Sequence, residues 1–128
     1  MKTHMSFGTR DLKKSVAFYR TLLNAEPAKH FEEYALFVTE EPGLELALNF
    51  NPNVQIVEAA HYGVGVESAS EVDAAMARLE AGGVAVDVER EEDCCYANQT
   101  KVWASDPDGR RWEVYTVHEE LEESRACC

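Results

Sequence analysis

The sequence predicts an α+β fold made of paired βαβββ modules, which together form a half-open barrel around a metal site. Two observations support this prediction. The order strand, helix and three strands is read twice along the chain, and matched residues recur at nearly constant spacing: His4 and His61 are 57 residues apart, and Val16 and Val72 are 56 apart. One such module cannot cover its own curved sheet, so two modules are expected to enclose a cavity.

We expect residues 1–58 to form the first module. Its helix is indicated by Leu12, Val16, Tyr19 and Leu23 at helical spacing, and by Asn24, a residue type that favours the left-handed conformation at a helix end. The predicted elements of this module are a strand at His4–Phe7, a helix at Thr9–Asn24, and strands at Pro27–Phe31, Tyr34–Thr39 and Leu44–Phe50.

We expect residues 59–118 to form the second module, within the same domain. A capping box is predicted at Ser70-Glu71-Val72-Asp73, and the helix is expected to end at Gly82-Gly83. Its predicted inner face comprises Val72, Ala75, Met76 and Leu79. The predicted strands are His61–Glu67, Val84–Glu89, Thr100–Ser105 and Arg111–Val117, and a turn at Asp106-Pro107-Asp108-Gly109 precedes the last of them.

Charge and composition limit the classes of partner. The chain has 24 acidic and 12 basic residues, a formal net charge of -12, which disfavours nucleic acid and anionic membranes. Its longest uninterrupted apolar run, Tyr34–Val38, is too short to span a bilayer. The chain start lacks the apolar core of a signal peptide. We therefore expect a cytoplasmic protein that acts on small molecules.

Two histidines and one glutamate are candidate metal ligands. Of the four histidines, only His4 and His61 occupy matched positions, each at the head of a module. Alternation along the last strand places Glu113 on one face, with Arg111 and Tyr115. Two imidazoles and one carboxylate are a ligand set for ferrous iron that leaves coordination positions open for oxygen and substrate. The alternative is that the three residues are ordinary strand side chains.

Glu45 leaves a second ligand set open. We match its position in the first module to that of Glu113 in the second. As a fourth ligand it would favour nickel or zinc and Lewis-acid chemistry. As an exposed or supporting carboxylate it would leave the three-ligand iron site unchanged.

An adjacent cysteine pair, Cys94-Cys95, lies in a connection about eleven residues longer than its counterpart, because His4 to Glu45 spans 41 residues and His61 to Glu113 spans 52. The extra length predicts a lid. Adjacent cysteines pair with each other only through a strained ring, so two thiolates binding one soft acceptor, such as trivalent arsenic, is the favoured interpretation. Two small buried apolar side chains are the alternative.

The segment Cys94–Trp103 (CCYANQTKVW), followed by DPDG at 106–109 and WEVY at 112–115, resembles organoarsenical carbon–arsenic lyases of the vicinal oxygen chelate superfamily. Cadmium-induced proteins are similar to the same segment. The superfamily also includes glyoxalases, extradiol dioxygenases and fosfomycin-modifying enzymes, and the predicted paired modules are similar to its fold over nearly the whole chain.

The resemblance implies a role for each candidate residue. It implies Fe(II) held by His4, His61 and Glu113, and trivalent arsenic held by Cys94 and Cys95. It implies dioxygen-dependent cleavage of methylarsonite and trivalent aromatic arsenicals to inorganic arsenite. It also places Lys101 on a mobile loop, where its charge would steer an oxyanion or help to close the lid.

Two other functions fit the same residues. A glyoxalase-like isomerase or thiol transferase would use Glu45 and need no oxygen. A non-catalytic protein that binds cadmium or arsenite would need only the four thiols.

Residues 119–128 are predicted to be a flexible acidic tail that ends in Cys127-Cys128. We consider two interpretations of this pair: it captures arsenicals for Cys94-Cys95, or it is a surface pair with no role. Exchange of modules between two chains, forming a homodimer, is also compatible with the sequence.

Overall fold

The computed structural model describes residues 1–94 and 96–123. The described chain has two helices and eight strands, and its α+β class with two βαβββ modules confirms the prediction. The elements, in chain order, are β1 (Thr3–Thr9), α1 (Leu12–Leu23), β2 (Lys29–His30), β3 (Tyr34–Thr39), β4 (Leu44–Phe50), β5 (His61–Gly65), α2 (Ala69–Ala81), β6 (Asp87–Cys94), β7 (Ala97–Ser105) and β8 (Arg111–Glu120). Neither helix is long and apolar enough to cross a membrane.

The first sheet has the strand order β1-β4-β3-β2, with β1 parallel to β4. Helix α1 packs on one of its faces, where the buried ring of Tyr19 lies 6.4 Å from that of Phe7 and 6.5 Å from that of Phe37. The Asp11 side chain caps the start of α1 by accepting a hydrogen bond from the Lys14 N–H. The left-handed conformation of Asn24 (φ 51°) ends the helix, as predicted.

The second sheet has the order β5-β8-β7-β6, and α2 packs against β8. Helix α2 is capped by Ser68, so the predicted capping box starting at Ser70 is wrong. The Ser68 hydroxyl accepts a hydrogen bond from the Glu71 N–H, and the Glu71 carboxylate accepts one from the Ser68 N–H. Ser68 and Glu71 have the spacing of a reciprocal box. On the predicted inner face, Met76 is only partly buried, unlike its three neighbours.

Contacts divide the chain into two compact units, one for each sheet. The first comprises Met1–Ala60 together with Ser105–Arg110, and the second comprises His61–Ala104 and the chain from Arg111 onward. The turn predicted within the second module therefore belongs to the first unit. Hydrogen bonds explain why: the Tyr19 hydroxyl donates to the Asp106 carboxylate (2.5 Å), and the Arg10 N–H donates to Asp108 (3.0 Å).

Strand β6 continues past the predicted end at Glu89, and β7 begins before the predicted start at Thr100, so the two strands form a hairpin in the segment where we expected a lid. Cys94 at the end of β6 pairs with Ala97 at the start of β7. The ladder contains an irregularity between Glu89 and Glu92, where Glu91 has a φ of 48°. Backbone pairing and polar side-chain bonds order the described residues of this segment, and its role as a lid stays a prediction.

Strand β8 also runs further than predicted. It extends through Glu120, two residues into the predicted tail, and the Leu121 N–H donates to the Tyr96 carbonyl (2.6 Å). The extension lies beside β7, with the His118 Nε2 and Thr100 Oγ1 atoms 2.7 Å apart. The His118 residue is exposed and takes part in this bond.

Candidate functional site

The first unit carries one predicted ligand, His4, on β1. Successive side chains on a strand alternate between faces, so His4 lies opposite the face on which Phe7 contacts α1. Glu45 is its partner across the β1–β4 ladder, and the His4 Nδ1 and Glu45 Oε1 atoms are 3.5 Å apart. Both side chains are about half exposed. The face without α1 therefore presents an imidazole and a carboxylate in direct contact.

The strand register corrects the equivalence assigned to Glu45. In the first unit His4 pairs with Glu45, whereas in the second unit His61 pairs with Arg111. Glu45 therefore corresponds to Arg111, and Glu113 corresponds to Ala47, two residues further along β4. The match between Glu45 and Glu113 was made without the strand register, so it missed this shift of two residues.

The second unit carries the other two predicted ligands on neighbouring strands. His61 and Gly63 lie on the same face of β5, and Glu113 pairs directly with Gly63. A Cβ atom at Gly63 would lie 3.0 Å from Glu113 Cγ and 3.1 Å from Tyr115 Cε1. The absence of a side chain at Gly63 thus gives the Glu113 carboxylate its space beside His61.

Lys101 pairs with Glu113, and both side chains are buried. The Lys101 Nζ atom is 3.3 Å from Glu113 Oε2, and the two residues are 1% and 8% exposed. Lys101 lies within β7, so the expectation that it occupies a mobile loop is wrong. Lys101 lies within the strand predicted at Thr100–Ser105, and its side chain is buried on the sheet against Glu113. Lys101 therefore fixes one carboxylate oxygen of the predicted ligand.

Trp103 completes this face of the second sheet, and sequence reasoning did not select it. Its ring lies 5.3 Å from the His61 ring in an edge-on arrangement, 4.3 Å from the Arg111 guanidinium carbon and 5.4 Å from Lys101 Nζ. The indole is buried, and its Nε1 atom has no hydrogen-bond partner among the described residues. The signal that would have found it is alternation: Lys101 and Trp103 are two residues apart on one strand.

The cysteine predictions can be followed only in part. Cys94 ends β6, next to the turn that carries Tyr96. Cys95, Cys127 and Cys128 lie outside the described residues. The predicted binding of a soft acceptor by Cys94-Cys95 therefore stays a prediction.

The predicted ligands do not form a complete metal site within the described part of either unit. Within the described part of each unit, no group of three or more His, Cys, Asp or Glu side chains is arranged to hold a metal ion. The predicted ligands are divided between the units, one in the first and two in the second. Their chemistry fits a divalent metal, because imidazole and carboxylate both bind such ions and the space at Gly63 keeps Glu113 beside His61.

Comparisons with known proteins find similarity over most of the chain. The family model described as the Glyoxalase/Bleomycin resistance protein/Dioxygenase superfamily matches residues 3–114. The chain is 38% identical over 130 residues to a trivalent organoarsenical cleaving enzyme of Bacillus sp. (strain MD1), covering 98% of this chain and 81% of that protein. It is 41% identical over 116 residues to the cadmium-induced protein CadI of Mycobacterium bovis (strain ATCC BAA-935 / AF2122/97), covering 91% and 76%.

Solved structures show the same fold. A glyoxalase/bleomycin resistance protein/dioxygenase from Alicyclobacillus acidocaldarius superposes with a TM-score of 0.74 at 17% identity, covering 93% of this chain and 92% of that one. The fosfomycin resistance protein FosX from Mesorhizobium loti gives a TM-score of 0.70 at 16% identity, with 89% of each chain covered. The repeated βαβββ order, the family match and the similar sequences together show that this chain belongs to the glyoxalase/bleomycin resistance protein/dioxygenase superfamily.

Proposed function

We propose that this chain is an Fe(II)-dependent dioxygenase that cleaves the carbon–arsenic bond of trivalent organoarsenicals and releases inorganic arsenite. The observation that carries the proposal is the 38% identity, over 98% of the chain, to a protein named trivalent organoarsenical cleaving enzyme. A protein with the same name from Thermomonospora curvata is 36% identical over 99% of the chain. Methylarsonite and trivalent aromatic arsenicals are the proposed substrates.

In this proposal His4, His61 and Glu113 hold the iron, which supplies activation of dioxygen when it is bound. The shared face of His61 and Glu113 supports the assignment, as does the space that Gly63 leaves for the carboxylate. Lys101 holds Glu113 Oε2 on the side away from β5 and restricts the carboxylate rotamer. The exposed side chain of His4, which also contacts Glu45, is accessible for binding.

Cys94 and Cys95 are proposed to bind arsenic by replacing two of its hydroxyl groups. Thiolates are soft ligands that suit a soft, thiophilic centre. Two arsenic–sulfur bonds would fix the arsenical in place, so that attack on its carbon–arsenic bond becomes effectively intramolecular. The buried position of Lys101 supports a role in orienting oxygen atoms near Glu113 rather than in closing a lid.

A second candidate function is non-catalytic binding of cadmium or arsenite by the thiols. The observation that favours it is the 41% identity to the cadmium-induced protein CadI. On this proposal the His4, His61 and Glu113 side chains have no catalytic part, and metal or arsenite binding depends on the cysteines alone.

The test is a turnover experiment in two stages. Protein loaded with ferrous iron is mixed with methylarsonite without oxygen, air is then admitted, and the arsenic species are separated and measured at both stages. Inorganic arsenite that appears only after air supports the lyase. Arsenite formed without oxygen contradicts the role of dioxygen, and methylarsonite that stays bound and intact in air supports the second candidate.

Single-residue variants test which side chains hold the iron and which bind the arsenical. Glu113→Gln and His61→Ala are expected to abolish arsenite formation, whereas Glu45→Gln, the control carboxylate beside His4, is expected to retain it. Cys94→Ser and Cys95→Ser are expected to lose methylarsonite binding and keep iron binding. Unaltered turnover in both cysteine variants contradicts their proposed role, and loss of activity in Glu45→Gln favours a four-ligand site.

A further inference from the structure

We propose that Trp103 and Arg111 form a binding subsite for a small tetrahedral oxyanion, such as an arsonate or phosphate, on the face of the second sheet that carries His61 and Glu113. The subsite lies wholly within the second unit. It is an addition to the proposed lyase activity and does not depend on carbon–arsenic cleavage.

Trp103 has a buried hydrogen-bond donor without a partner among the described residues. The residue is 4% exposed, and its indole N–H has no hydrogen-bond partner in the described chain. Leaving a buried donor unpaired is unfavourable, and such groups are rare in native proteins unless a water, ion or ligand completes them. The indole N–H is a donor only, so its missing partner must be an acceptor.

A positive charge lies over the indole ring of Trp103. The Arg111 guanidinium stacks over the indole, with its central carbon 4.3 Å from the ring centroid. Arg111 is exposed and makes no ion pair or side-chain hydrogen bond within the described residues, so its donors are accessible. Lys101 Nζ lies 5.4 Å from the same ring. The indole ring therefore lies close to two cationic side chains, of which Lys101 is paired with Glu113.

The local charge balance favours an anion. Lys101 and Glu113 neutralise each other through their 3.3 Å contact, which leaves the charge of Arg111 in excess. Such a surface is unusual in a chain with a formal net charge of -12. Binding of a divalent metal by Glu113 would add positive charge and strengthen attraction for an anion. Anion binding and metal binding are therefore expected to reinforce each other.

The donor geometry identifies the class of ligand. A guanidinium presents two parallel N–H groups that match two oxygens of a phosphate or carboxylate, and the indole adds a third donor. Trivalent arsenicals carry neutral hydroxyl groups at pH 7, whereas pentavalent arsonates and phosphate are anions. The subsite therefore suits the oxidised, anionic counterparts of the proposed substrates, and phosphate by the same chemistry.

The test follows the two indole N–H groups directly by nitrogen-15 NMR. The chain has two tryptophans, and the variants Trp103→Phe and Trp112→Phe assign their resonances. Methylarsonate and inorganic phosphate are titrated separately into metal-free and zinc-loaded protein, with sodium chloride at matched ionic strength as the control. We expect a saturable shift of the Trp103 resonance with either oxyanion, a smaller response at Trp112, and tighter binding with zinc.

Binding is also measured by calorimetry in three variants. Trp103→Phe, which keeps an aromatic ring but lacks the N–H, and Arg111→Gln are each expected to weaken binding at least tenfold. Arg90→Gln is the matched control, because Arg90 is an arginine of the same unit that pairs with Asp73. The affinity of the Arg90→Gln variant for each oxyanion should equal that of the unaltered protein. If methylarsonate binds more tightly than phosphate, the arsenical is the ligand of the subsite. If phosphate binds more tightly, phosphate is the ligand.

Two outcomes would overturn the proposal. One is a Trp103 resonance that does not move, or that moves equally with chloride. The other is unaltered affinity in both Trp103→Phe and Arg111→Gln. Neither outcome affects the lyase proposal, because no step of this experiment measures turnover of a trivalent arsenical.

Discussion

Replacing Lys101 by Met should destabilise the metal-free protein. The change removes the ammonium but keeps a flexible apolar side chain, and it leaves the Glu113 carboxylate in a site where the two side chains are 2% and 10% exposed. At 3.3 Å and an effective dielectric constant of about 20, the attraction lost is about 5 kcal/mol. Removing the desolvation cost of the ammonium offsets part of this loss. We expect the free energy of unfolding to fall by about 3 kcal/mol.

The same change should strengthen metal binding if Glu113 is a ligand. In the unaltered protein a divalent ion must share the Glu113 carboxylate with the Lys101 ammonium. Without that competing cation, we expect zinc or ferrous iron to bind at least about tenfold more tightly, equivalent to about 1.4 kcal/mol. Added metal would then raise the free energy of unfolding of Lys101→Met in proportion to the logarithm of the metal concentration.

Urea unfolding with and without zinc measures the stability effect, and competition with a chelator measures metal affinity. Lys2→Met is the control, because it removes the same charge from a more exposed pair with Glu40 and should change neither quantity appreciably. The reasoning is refuted if Lys101→Met is as stable as the unaltered protein. If only the metal affinity is unchanged, Glu113 is not a ligand.

Three further changes test how the units are stabilised. Asp106→Ala removes the buried carboxylate that accepts from Tyr19 and pairs with Arg110, so the free energy of unfolding should fall by about 3–5 kcal/mol in urea unfolding. A loss under about 1 kcal/mol would contradict a structural role for these two contacts of Asp106. Leu46→Ala empties a fully buried position in β4 and should cost about 2–5 kcal/mol in the same assay. Ser68→Ala should lower the free energy of unfolding by about 1 kcal/mol, whereas Ser70→Ala should change it by less than about 0.5 kcal/mol. If Ser70→Ala has the lower melting temperature of the two variants, Ser70 is the cap of α2.

The regular elements were predictable where a periodic pattern is bounded by strong end signals. The bounds of β3 and β4 agree with prediction, because the apolar run of β3 and the alternating residues of β4 are separated by a connection containing Pro42 and Gly43. The start of α2 was missed by two residues, since Ser68 and Ser70 are both good caps. The deciding contact is the Glu71 carboxylate, which returns to the Ser68 N–H. The extensions of β6 past Glu89 and of β7 before Thr100 were missed because most of their residues are polar and their order comes from backbone pairing.

The candidate site was predictable one strand at a time. Alternation placed Glu113 on a single face, and the repeat located His61 at the head of β5. The ion pair between Lys101 and Glu113 depends on how β7 lies beside β8, which periodicity within one strand does not specify. The same limitation applies to Trp103, whose apolar ring looks like an ordinary core side chain until its N–H is found without a partner.

The discontinuous first unit has a consequence for synthesis on the ribosome. Its segment Ser105–Arg110 supplies the acceptors for Tyr19 and Arg10, but it is translated after most of the second unit. A nascent chain that stops at Ala60 therefore lacks groups that its own helix α1 requires. Completion of the N-terminal half must wait until residue 110 has emerged, so the two halves cannot mature strictly in the order in which they are made.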